Sequence, residues 1–110
     1  MLEFFKNQEL ELQRIDEIVP NCWINAIDPT AEEIEKIAAL GIPQDFVTDP
    51  LDADERPRIE EEDDGTFLIV VRVPTSHPLD PEIPYGTIPL GIILADKYIV
   101  TVCSQQQTIL

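Results

Sequence analysis

Glycine is scarce in this chain, with four in 110 residues, and the four are scattered. A phosphate-cradling loop needs closely spaced glycines, so a nucleotide site of that kind is excluded. Histidine is scarcer still: His77 is the only one, set among prolines. A hydrolytic triad would need a nucleophile and an orienting acid brought to it from elsewhere. The two cysteines, Cys22 and Cys103, form no C-x-x-C pair and lie in apolar, strand-like segments. Cys103 sits between Val102 and Ser104, with no local activating group. Both read as buried thiols in a reducing compartment. Lysine and arginine number seven against 22 acids, a formal net charge of −15. Phosphate backbones and anionic membrane surfaces need basic patches, so the chain is expected to bind no nucleic acid and to insert in no membrane. No apolar run approaches the roughly 20 residues that cross a bilayer, and Met1-Leu2-Glu3 does not open a secretory leader. A soluble, cytoplasmic chain is expected, and not an enzyme.

What is present is enough apolar residue, 44%, for one core. Leu2, Phe4 and Phe5 suggest a first strand, and Leu10 and Leu12 alternate with polar residues as a half-buried second strand would. Cys22 to Ile27 is a third, with Trp23 expected in the core. Thr30 and Glu33 form a capping box, Ile34, Ile37 and Ala38 share a helix face, and Gly41 supplies a left-handed stop. Pro43 opens a short helix through Phe46 and Val47 that Pro50 is expected to end. Arg58–Glu62 and Thr66–Val73 form a hairpin across Asp64-Gly65. The second of these strands is apolar on both faces and is expected to be covered on both. Pro74, Pro78, Pro81 and Pro84 mark a loop. Thr87–Leu94 and Tyr98–Val102 make a second hairpin over Asp96-Lys97. The apolar end at Ile109-Leu110 carries no stop signal and looks cut. The elements give an α/β fold, bordering on α+β, with a mixed, largely antiparallel sheet in a single domain over residues 1–110.

The densest chemistry runs from Asp49 through Asp52, Asp54 and Glu55 to Arg56-Pro57-Arg58. Hard carboxylate oxygens suit Mg²⁺ or Ca²⁺, not Zn²⁺, and the spacing is not that of an EF-hand. Arg56 and Arg58 read as counter-ions to their acidic neighbours. Glu60 to Asp64 reads as a soluble edge that resists sheet-to-sheet pairing. A hydrolase built on Asp52 or Asp54 lacks the preceding apolar strand that an aspartyl phosphatase motif requires.

Taken in order, Trp23-Ile24-Asn25, the capped helix ending at Gly41-Ile42, the Asp49…Leu51 turn, Arg56-Pro57-Arg58-Ile59, the strand Phe67–Val71 and the hairpin Leu90–Leu94…Tyr98–Val102 resemble the cytoplasmic N-terminal domain of CorA-type magnesium transport proteins. The resemblance implies an α/β/α sandwich in a homopentamer, whose own stalk and transmembrane region lie outside this chain. It implies a regulatory role, in which Mg²⁺ or another divalent cation held between subunits keeps the pore closed. The regulatory carboxylate falls on Asp49, while Thr48 stands where relatives often carry a second acid. The alternative is a freestanding acidic interaction module, binding a basic partner through the Asp49–Asp64 surface.

Overall fold

The computed structural model describes residues 1–75 and 86–106. His77 and Pro78, Pro81 and Pro84 of the expected loop, with the last four residues, lie outside the described residues. Seven strands form one sheet: β1 Leu2–Gln8, β2 Glu11–Ile15, β3 Cys22–Ile27, β4 Arg58–Glu61, β5 Phe67–Thr75, β6 Gly86–Leu94 and β7 Tyr98–Cys103. Their order is β2-β1-β3-β7-β6-β5-β4. All neighbours are antiparallel except β3 and β7, which run parallel with Ile24 opposite Val100. The α/β class and the mixed, largely antiparallel sheet are as expected.

Alternation along the strands sorts the side chains onto two faces. One face carries Cys22, Ile24 and Ala26 of β3, Val100 and Val102 of β7, Ile93 of β6, and Leu68 and Val70 of β5, all buried. On it lie helix α1, Ala31–Ala38, and helix α2, Gln44–Thr48, which add Ile37, Phe46 and Val47 to the same core.

Helix α1 begins where its capping box lies. Thr30 Oγ1 accepts from the Glu33 N–H at 3.2 Å, and Glu33 Oε1 accepts from the Thr30 N–H at 3.0 Å. The Met1 amino group also donates to Glu33 Oε1, at 2.9 Å. The backbone bond from Thr30 first, and the amino group second, hold the Glu33 carboxyl below the usual range. Gly41, at φ +93°, turns the chain out of the helix.

The short α-helix ends just before Pro50, as expected, but the helical path does not. After α2 the chain continues as a 3₁₀ turn, Asp49–Leu51, in whose first turn a missing N–H costs nothing. Pro50 is buried against β6 at Gly91, where a Cβ would stand 2.4 Å from Pro50 Cγ. Glycine permits that close approach.

Three expectations about burial are corrected on the opposite face. Strand β2 is exposed on both faces up to Ile15, because it is an edge strand with Leu12 turned away from the helices. Strand β5 is covered on its second face only in part: Leu68 and Val70 are buried towards the helices, and on the other face Val73 is buried with Ile88, Leu90 and Cys103, whereas Ile69 is half-buried and Val71 exposed. Trp23 is half-buried on the face away from the helices, its ring 4.8 Å from that of Phe5 and its Nε1 donating to Thr101 Oγ1 at 2.8 Å. All helices among the described residues sit on the other side. Of the two helical layers in an α/β/α sandwich, the described residues form one. Both cysteines are free and buried, as expected.

Candidate functional site

Asp49 stands at the junction of α2 and the 3₁₀ turn, its backbone fixed by an N–H bond to Asp45 O and by Pro50 wedged against the sheet. Arg58 opens β4 opposite Val70, so its side chain shares the helix-bearing face and reaches the turn. Its Nη2 donates to Asp49 Oδ2 at 2.8 Å and to Glu60 Oε2 at 3.3 Å, while Nη1 donates to Glu55. One guanidinium thus gathers three carboxylates from the 3₁₀ turn, the following loop and the edge strand. Partial burial works against the Arg58 charge, but Glu55, Glu60 and Asp49 outweigh it and raise its pKa.

The other acids of the segment do different work. Asp52 Oδ1 accepts from the Asp54 N–H at 3.0 Å, a side-chain turn that bends the loop. Asp54 and Arg56 are exposed, and Arg56 makes no ion pair among the described residues. Asp64 accepts from the Thr66 N–H at 3.0 Å, a bond that lowers its carboxyl pKa and shapes the β4–β5 turn. Asp52 and Asp54 therefore sit in an exposed turn.

Arg72 was not singled out by its sequence position, yet it fixes the loop that carries Glu55. Its Nη1 donates to the carbonyls of Ala53, at 3.0 Å, and Glu55, at 2.9 Å, while Nε and Nη2 bond Thr87. The one available signal was an arginine interrupting the apolar run Phe67–Val73.

No group of three or more His, Cys, Asp or Glu among the described residues is arranged to hold a metal ion. Mg²⁺ keeps several waters and takes one or two carboxylates, so the partly exposed Asp49 fits a shared, hydrated site and not a closed one. An open groove of about 410 Å³ lies elsewhere, beside Phe5, Trp23 and Ile99 on the sheet face away from the helices. No helix among the described residues is long and apolar enough to cross a membrane.

The family model described as CorA-like Mg²⁺ transporter protein matches residues 20–110. No curated protein matches the chain. Among solved structures, the complete CorA magnesium transporter from Methanocaldococcus jannaschii is 27% identical, with a TM-score of 0.75 over 96% of this chain and 33% of its own. The soluble domain of CorA from the same organism is 28% identical, again at 0.75, covering 96% of this chain and 41% of that one. The ZntB cytoplasmic domain from Vibrio parahaemolyticus shares the fold at 15% identity and 0.74, over 96% and 44% respectively. This chain therefore spans between a third and less than half of each of these structures.

Proposed function

The chain belongs to the CorA-like Mg²⁺ transporter family, and from that premise we propose that it is the regulatory cytoplasmic domain of a divalent-cation transporter. The observation that carries this reading is the match to CorA over 96% of this chain, at a TM-score of 0.75. In this reading residues 1–110 form one domain of a longer membrane protein, assembled as a homo-oligomer, a pentamer, and lying on the cytoplasmic face. Stalk and membrane-spanning segments lie outside it, and the domain itself carries out no catalysis.

Asp49 is the residue proposed to meet the cation. It is the partly exposed carboxylate at the start of the 3₁₀ turn, on the side of the molecule where that turn meets β4. A lone carboxylate per subunit suits a weak site completed by a neighbouring copy. Such a site biases assembly because neighbouring domains carrying −15 each repel one another, and a shared divalent cation relieves that repulsion only in the closed arrangement.

Limited proteolysis of the native full-length protein across a MgCl₂ titration, against KCl at matched ionic strength, tests this. Protection by MgCl₂ beyond the KCl control, lost in Asp49→Ala, is the expected result. Equal protection by both salts would remove the sensing role.

A further inference from the structure

We propose that Arg58 is a built-in competitor for the cation at Asp49, and that it sets how weakly the site binds. This inference rests on the sensing role of Asp49 proposed above. Its own observation is independent of any family: one of the two oxygens of the Asp49 carboxylate, Oδ2, is already held by Arg58 Nη2 at 2.8 Å. A cation that takes Asp49 must displace the guanidinium from Oδ2 or bind the carboxylate beside its positive charge, and Arg58 opposes it in both cases.

The clamp is constructed so that the exchange is partial. Arg58 also bonds Glu55 and Glu60, so releasing Asp49 leaves two of its three partners in place. Glu55 does not follow Asp49 away, because Arg72 holds the carbonyls of Ala53 and Glu55 against the sheet. Asp49 does not wander either, since Pro50 is seated on Gly91. Both end-points of the exchange are therefore defined, with Asp49 on Arg58 when the cation is scarce and on the cation when it is abundant. The positive charge also repels an approaching divalent ion, so the site responds at a higher concentration than a bare carboxylate would. Arg58 is a positioning residue here, acting through Asp49 and touching no cation itself.

The test is the MgCl₂ midpoint for protease protection of the native protein, at constant ionic strength. Arg58→Gln is expected to lower that midpoint by about two- to fivefold, the range that a half-exposed ion pair is worth. Arg58→Lys, which keeps the charge but loses the fork, is expected to fall between Arg58→Gln and the parent. Asp52→Asn should leave the midpoint unchanged. A purely structural role for Arg58 would instead weaken protection or lower thermal stability with no downward shift. If Asp49→Ala abolishes protection while Arg58→Gln leaves the midpoint unchanged or raises it, the competitor role is overturned and the Asp49 reading survives. If Asp49→Ala behaves as the parent, both fall. If Arg58→Gln does not fold, an Arg58→Lys midpoint equal to the parent's overturns the proposal.

Discussion

Thr30 and Glu33 show how far single residues can be read. A hydroxyl and a carboxylate three positions apart before an apolar helix face satisfy each other's backbone donors, and the structure contains both bonds. Thr30→Ala should cost about 1 kcal/mol in urea unfolding at neutral pH. Glu33 adds a pH signature. Its carboxyl is lowered from 4.5 in the fold, by the Thr30 backbone bond first and the Met1 amino group next. A depressed carboxyl gives stability that is present above its unfolded pKa and lost as pH falls through its folded one. The stability gap between the parent and Glu33→Gln should accordingly be open at neutral pH and close in acid, below 4.5. A gap independent of pH would mean that the charged form adds nothing. Other residues gave no such signal. Glu9 and Leu10 both adopt positive φ in the two-residue β1–β2 turn, where asparagine and glycine are usual. The counter-ion role of Arg58 was legible from its acidic neighbours, but its three partners were not, because Asp49 meets it only once β4 is laid into the sheet.

At the scale of elements, the 3₁₀ turn is held to the sheet by shape. Pro50 fills the space where a side chain on Gly91 would stand, with Pro50 Cγ 2.4 Å and Pro50 Cβ 2.9 Å from a Cβ built there. Gly91→Ala should therefore destabilise by about 1–3 kcal/mol through overpacking. In the Pro50→Ala background the same change should cost less, because the obstructing ring is gone. A double-mutant cycle by chemical denaturation measures that coupling, and additive costs would show that the two residues do not meet. In the sequence Pro50 read as a helix stop, since proline ends helices more often than it opens a 3₁₀ turn. Nothing local distinguishes the two outcomes; the partner that decides is a glycine 41 positions on, in β6. The hairpins were legible because their turns carry their own signals, Asp64-Gly65 and Asp96-Lys97. The second face of β5 was judged rightly only at Val73, which is buried, and not at Ile69 and Val71: apolar composition marks what a strand can bury, not how far it is covered.

For the whole molecule the two controlling facts are the parallel joint of β3 and β7 and the net charge. The joint brings Trp23 to Thr101 across 78 positions, and periodicity within either strand contains no information about that pairing. The class of fold could be read from the chain, whereas its strand order could not. Charge is legible in full, because it needs no contacts. With 22 acids against seven bases, compaction brings like charges together over most of the surface. The ion pairs offset this only locally: Arg58 alone engages three of the acids, and Arg72 turns its guanidinium to backbone carbonyls and Thr87. Self-repulsion should then outweigh favourable pairing, so screening should stabilise the fold. The melting temperature is expected to rise as KCl goes from about 20 mM to about 200 mM, where the Debye length shrinks from roughly 20 Å to less than 10 Å. A melting temperature that falls over that range would mean that the Arg58 clamp and the other ion pairs contribute more than the excess of acids takes away. In that case the excess charge would act between copies of the domain and not within one, and only there would a shared cation relieve it.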